Sequence, residues 1–192
     1  MSSTINRLLG SIIVALLVGC YSMPKASDAP ATPLERYQMS IKELKRARGA
    51  EDRWIALGDA AKATVWIGHV GEARQYAEEL RSLSPNYKGN WNYGNAIQDY
   101  NLVLGTIALG SGDVESSKRF LLASGRTPGS PQLNSFGPNM SLAKALLIVG
   151  ERRTVISYCD LCRTFWPRNE LSTWRKEVEA GRIPEFGANL VY

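Results

Sequence analysis

The chain has little of what catalytic and disulfide-built proteins are made from. Of its 192 residues, three are cysteine and one is histidine. Three cysteines are too few to staple a small scaffold, so burial must hold the fold together. The single His69 and a lone cysteine pair fall short of a four-ligand zinc site. There is no G-x-S-x-G elbow, no G-x-x-x-x-G-K phosphate loop and no H-E-x-x-H helix, and Gly105 to Gly112 does not fit a dinucleotide fingerprint. Nine prolines and seventeen glycines are too few for a mucin-like or linker protein. With 44% hydrophobic and 21% charged residues, collagen-like and disordered readings also drop out. The length allows one domain with a leader or tail, and two full domains do not fit.

Long hydrophobic runs are missing too. The apolar stretch Leu8 to Gly19 follows one charge, Arg7, and has twelve residues. As a helix it would reach about 18 Å, short of the roughly 30 Å hydrocarbon layer. It reads as the core of a secretory signal, although an uncleaved anchor shares the pattern. The run ends Leu17-Val18-Gly19-Cys20, which resembles the lipobox of bacterial lipoproteins. The resemblance implies a diacylglycerol thioether on Cys20, cleavage before it and acylation of the new amine. Residues 1–19 are then a lipoprotein signal peptide. Several acyl chains anchor firmly where one is marginal, at about 0.8 kcal/mol per buried methylene. In that family Asp after the cysteine often retains the protein at the inner membrane. Here Tyr21 follows, so the expectation is the outer membrane of the cell envelope, facing the periplasm.

Residues 20–33 carry the anchor and a flexible tether rich in Pro, Ala and Ser with no periodic apolar face. Removal of the leader takes away one Arg, leaving 22 basic against 18 acidic residues, a net +4. That modest excess, without a dense basic stripe, argues against nucleic acid.

Residues 34–192 read as all-α. Thr32, Pro33 and Glu35 supply a capping residue, a first-turn proline and an acid at the third position. The helix they open should run to about Arg48. Beyond it apolar residues recur at three- and four-residue intervals, and sustained period-two alternation is absent. Three segments share a pattern: Trp54, Leu57, Gly58, Ala61, then Gly68, Ala73, Ala77, Leu80, Pro85; Leu104, Gly105, Ala108, then Gly112, Ser117, Leu121, Ser124, Pro128; Leu142, Ala143, Leu146, then Gly150, Val155, Cys159, Cys162, Pro167. The pattern resembles the tetratricopeptide repeat, with about three irregular repeats between a first helix and a capping helix near Asn169 to Glu179. The resemblance implies an α-solenoid, a stack of antiparallel helix hairpins whose small residues let helices approach closely. A compact helical bundle would share the same hairpin chemistry. The first unit carries about three extra residues in its leading helix, and the apolar stretch after Arg182 should pack down.

Leading helices of such repeats line a groove for an extended peptide or partner helix. By position this implies Asp59 and Lys62 in the first unit, Leu102 and Thr106 in the second, and Met140 and Lys144 in the third. Lys88 to Tyr100 adds Trp91, Tyr93 and Tyr100 among amide side chains, suited to stacking on a peptide or sugar or to stapling two hairpins together. Ser124 to Asn139 is a long Gly- and Pro-rich loop, and Asn139 could also cap a helix.

The pair Cys159 and Cys162 lacks the following His that haem attachment needs, since Arg163 stands there. Two turns inside a helix the thiols gain nothing from its N-terminus, so core cysteines are expected. A strained bridge or a thiol–disulfide activity is the alternative. His69 falls in an interhelical turn, and Glu78 and Glu79 fall on a solvated helix face. Basic residues thicken from Arg152 to Arg182 and suit solvated faces or an anionic envelope partner. The expectation is a membrane-anchored, non-enzymatic scaffold without metal or cofactor, binding an unknown protein or peptide; the rivals are a thiol–disulfide redox protein and a glycan- or peptidoglycan-binding lipoprotein.

Overall fold

The first described helix starts where its cap places it. A computed structural model describes residues 32–191, which form nine α-helices, two 3-10 turns and no strand. The signal peptide, Cys20 and the tether up to residue 31 lie outside the described residues. Thr32 Oγ1 accepts from the Glu35 amide at 3.2 Å, and Glu35 Oε2 accepts from the Thr32 amide at 2.7 Å. This reciprocal cap opens α1 (Pro33–Arg46) at the expected first-turn proline, and α1 stops two residues short of Arg48. The bond from the Thr32 amide, and after it a second that Thr32 Oγ1 donates to Glu35 Oε2 at 2.9 Å, hold the Glu35 carboxyl below its usual range.

Three helix pairs follow, α2 (Ala50–Trp66) with α3 (Val70–Leu83), α4 (Tyr93–Gly110) with α5 (Val114–Gly125), and α7 (Ser141–Ile148) with α8 (Arg152–Cys162). One turn recipe closes all three. Gly68, Gly112 and Gly150 take φ of 83°, 84° and 91°, which a side chain would resist. The next residue's amide reaches back to the helix it leaves: His69 to Thr64 at 3.1 Å, Asp113 to Ala108 at 2.9 Å and Glu151 to Leu146 at 2.9 Å. These are Schellman closures, and they satisfy carbonyls the helix would otherwise orphan. A tight bond from residue 70, 114 or 152 to the glycine carbonyl, 2.8 to 3.0 Å long, then starts the next helix.

Identical turns put the three pairs in a common register. Five residues after the glycine stand Ala73, Ser117 and Val155, and nine after it stand Ala77, Leu121 and Cys159, all six at most 1% exposed. The aromatic residues Tyr76, Phe120 and Tyr158 share the position between these rows. Before the glycine, the close-packed small position is Ala61, Gly105 and Ala143. The turn therefore aligns Ala61, and not Gly58, with Gly105, which absorbs the extra residues of the first leading helix.

Packing follows this register. α1 lies on α2, α3 on α4, α5 on α8, and α8 on α9 (Asn169–Glu179), while the leading helices also meet, α2 with α4 and α4 with α7. Trp54 is the anchor of the first part of the core: it is fully buried, its Nε1 donates to Ser84 Oγ at 3.1 Å, and its ring stacks on Tyr87 at 4.5 Å. Emptying such a site costs about 3–5 kcal/mol. Leu171, Trp174 and Val178 turn α9 inward, and Trp174 meets Phe186 edge-on at 5.2 Å.

The stretch from Ser124 to Asn139 is not all loop. Ser130 Oγ accepts from the Leu133 amide at 3.0 Å and Pro131 takes the first helical position, so α6 (Pro131–Phe136) forms within it. The tail does pack down. Phe186 is 2% exposed, and Asn189 is clamped at its side-chain amide and its backbone carbonyl. Among the described residues no helix is long and apolar enough to cross a membrane.

Candidate functional site

Where α1, α2, α4, α6 and the end of the tail converge, they enclose a cleft of about 730 Å³. That volume falls within the range of ligand-binding clefts. α4 supplies one wall because the spacing of Asn92, Asn95 and Asp99 puts them on one helix stripe beside Gln98. Trp91, 52% exposed, stands at its mouth, and Phe136 projects from α6 opposite. α1 and α2 bring Arg36, Met39, Asp59, Lys62 and Trp66.

A charged triad forms the floor between α2 and α4. Lys62 Nζ lies 3.1 Å from Asp59 Oδ1 and 3.1 Å from Asp99 Oδ1. Lys62 and Asp99 are largely enclosed, whereas the Asp59 side chain is 78% exposed at the mouth. Burial alone would lower the Lys62 ammonium, but attraction from Asp99 and Asp59 outweighs it and holds the pKa above the usual lysine value. Burial pushes the Asp99 carboxyl up to about 6 against the pull of Lys62, and the nearby Asp59 charge adds to the rise. Lys62 holds Asp59 below the ordinary carboxylate range. Gly58 is part of this arrangement, since a Cβ there would come 2.6 Å from Asp99 Oδ2.

Hydrogen bonds from the loop fix the α4 wall. Thr127 Oγ1 donates to the Gly94 carbonyl at 2.8 Å, Ser130 Oγ donates to Asn95 Oδ1 at 2.5 Å, and Asn95 Nδ2 donates to Asn92 Oδ1 at 2.8 Å. Gly94 has no room for a side chain, because a Cβ would overlap the Gly129 carbonyl. Gln98, only 2% exposed, accepts the Asn139 amide on Oε1 at 3.1 Å, and its Nε2 meets no acceptor. Asn139 is tied further in, its carbonyl accepting Tyr158 OH at 3.0 Å. The tail closes this end: the Met140 amide donates to Asn189 O at 2.7 Å, Asn189 Nδ2 donates to Phe136 O at 3.0 Å and Pro138 O at 2.9 Å, and Arg36 reaches Val191 O at 3.3 Å.

Of the residues proposed from sequence, the cleft gathers Asp59, Lys62 and Trp91. Leu102 and Met140, 4% and 0% exposed, belong instead to the hydrophobic core, because their positions face inward in the common register. Tyr93, half-buried, packs against the part of the core that holds Trp54. Thr106 is exposed and bonds its own helix at Leu102 O, and Lys144 is half-buried; neither lines the cleft. Gln98, Asp99 and Phe136 lie inside the segments Lys88 to Tyr100 and Ser124 to Asn139 without being named as site residues there, and Arg36 lies outside both. Helical spacing from Asn92 to Asp99 was the signal that could have found the α4 pair.

Outside the cleft the thiols are quiet. Cys159 and Cys162 are free and buried, and burial pushes Cys159 up to about 12 and Cys162 well above the ordinary thiol value. His69 stands at the first position before α3 without a side-chain capping bond, its Nδ1 3.6 Å from Glu72. Among the described residues no three His, Cys, Asp or Glu side chains gather as a metal site. No protein-family model, curated protein or solved structure matches this chain.

Proposed function

We propose that this protein is a lipid-anchored, non-enzymatic scaffold of tetratricopeptide-like repeats that holds a protein or peptide partner at the bacterial cell envelope. One observation carries the reading: α2 and α4, the leading helices of two of the three pairs closed by one turn recipe, line a cleft of about 730 Å³ together with α1 and α6. Repeated pairs in common register support a solenoid-like stack, and the core rows at Ala73, Ser117 and Val155 are those such repeats keep small or aliphatic. The lipobox Leu17-Val18-Gly19-Cys20 supplies the anchor in this reading, with Tyr21 favouring the outer membrane. Protonated, buried thiols favour core cysteines over a redox pair.

Two measurements test it in the cell. Cys20→Ala should move the protein from the membrane to the soluble fraction or leave it uncleaved. A photo-crosslinking residue at Trp91 should trap a discrete partner protein that the same residue at exposed Arg119 on α5 does not trap. Equal or absent trapping at both positions would remove the cleft from the proposal.

A further inference from the structure

The three glycine turns stand at one edge of the molecule. Leu57 and Ala96 share one core cluster and Val65 and Ile107 the next, so α2 and α4 run the same way. Gln98 meets Asn139 and Gly105 meets Leu142, which gives α7 that direction too. α1 begins at this edge, where the Tyr37 ring lies edge-on to His69 at 5.4 Å. α9 ends there, since a Cβ at Gly181 would stand 4.0 Å from Arg152 Nη1.

That edge carries apolar side chains in solvent. Nine large hydrophobic side chains are exposed among the described residues, and four of them, Met39, Trp91, Phe136 and Val191, line the cleft. The other five, Leu34, Val70, Ile148, Val149 and Ile183, all stand at the turn edge, and Ile148 is the most exposed of the nine at 68%. Exposed Arg74, Arg153 and Arg182, each within four residues of one of these tips, enter no ion pair. The acids of the turns are already engaged: Glu72 by Tyr37 and Tyr76, Asp113 by Ser116, and Glu115 and Glu151 by Lys118. The edge therefore offers apolar tips and uncompensated positive charge together.

We infer that this turn edge is a membrane-docking face, its apolar tips entering an anionic phospholipid surface whose phosphates meet Arg74, Arg153 and Arg182. The inference rests on the lipid anchor of the scaffold reading and goes beyond it, because acyl chains hold a protein near a bilayer without choosing the face it presents. Thr32 caps α1 at this edge, twelve residues after Cys20, and twelve extended residues span at most about 40 Å. Apolar tips beside arginines suit such a surface: the tips leave water for the acyl boundary while the guanidiniums stay among the headgroups. The five tips come from four separate chain segments, which suits a broad surface better than a slender guest.

The test uses the full chain, purified in detergent and reconstituted into vesicles of phosphatidylethanolamine and phosphatidylglycerol. Mass measurement first establishes the acyl groups on Cys20. A nitroxide is attached at Val149→Cys and, in a second protein, at exposed Lys88→Cys on the opposite edge, with Cys159 and Cys162 buried and unlabelled. At Val149 the nitroxide should collide more often with oxygen, which concentrates in the bilayer, than with a water-soluble nickel chelate, and at Lys88 the order should reverse. Joint Arg74→Glu, Arg153→Glu and Arg182→Glu should return the Val149 label to the Lys88 pattern while the protein stays on the vesicles. If helix content drops in that protein, the two labels in the native background decide. A water-facing label at Val149, or immersion that survives the charge reversal at unchanged helix content, overturns the inference and leaves the anchor standing. So does a Val149 label that is shielded in native membranes but faces water on pure lipid, which marks a protein as the occupant. A Cys20 without acyl groups removes the anchor, and this inference falls with it.

Discussion

The leading helices meet at two crossings that solve one packing problem with opposite chemistry. At the first, α2 approaches α4 through Gly58, and the space a side chain would fill is taken by the Asp99 carboxylate, tied to Lys62. At the second, α4 approaches α7 through Gly105, and the same space is taken by the Leu142 side chain with Phe120 beside it. The apolar crossing is closed by these two side chains. The charged crossing opens on the cleft, where its enclosed ions sit at the edge of solvent. Enclosed ion pairs are poor contributors to stability compared with aliphatic packing, so the charged crossing keeps its polarity at a cost in cohesion.

The largest effect should come from the apolar crossing. Leu142 is 1% exposed, and Leu142→Ala removes its methyl groups from a site on α7, which packs against α4, α5 and α8. Denaturant unfolding should show a loss of about 2–5 kcal/mol. In a chain of this size each kcal/mol moves the midpoint of thermal unfolding by about 2–4 °C. Next comes removal of the cation at the charged crossing. Lys62→Met leaves Asp99 enclosed without its partner, and the expected loss at about pH 8 is about 2–3 kcal/mol, below the figure for full burial because both side chains keep some water contact. The loss should shrink in acid, where Asp99 takes up a proton, and a loss independent of pH would refute the charge account.

A smaller effect separates the crossings by titration. Folded Asp99 has its pKa pushed up to about 6 by burial from the ordinary carboxylate value of 3.8, so between these values the native chain binds a proton that the unfolded chain has released. Stability from this group is therefore greatest in acid and declines as pH rises through about 6. Glu35, Asp59 and Asp113, all lowered, act in the opposite sense, so the measurement is a difference. Wild type should gain relative to Asp99→Asn on going from about pH 7 to about pH 4. Leu142→Val, at the other crossing, should track wild type at every pH.

The turns were legible before the structure because glycine at a helix end has a local cause: Gly68, Gly112 and Gly150 each need positive φ. The α1 cap and α9 were legible for similar local reasons. The cleft was only half legible. Asp59, Lys62 and Trp91 were found from position and composition, but Asp99 owes its role to Gly58, 41 residues away in sequence. Leu102 and Met140 were misplaced because a one-residue shift in helix phase turns a groove position into a core position. The short α6 was hidden by its Pro- and Gly-rich surroundings, although Ser130 and Pro131 carried its start.

The finest test is the pair of glycines. Alanine at either position gains about 1 kcal/mol of helix propensity, so the sign of each result depends on whether the neighbour can yield. At Gly58 the nearest atom is Asp99 Oδ2, the tip of a side chain that can rotate toward Lys62. At Gly105 the Leu142 methyl is overlapped and Phe120 Cβ, fixed to its backbone, stands 3.0 Å away. Gly105→Ala should therefore cost about 1–3 kcal/mol by overpacking, while Gly58→Ala should stay within about 1 kcal/mol of wild type. If Gly58→Ala destabilised as much as Gly105→Ala, the carboxylate would be a rigid packing element like the leucine. The two crossings would then differ in charge alone, and the first would lose its claim to be the adaptable one.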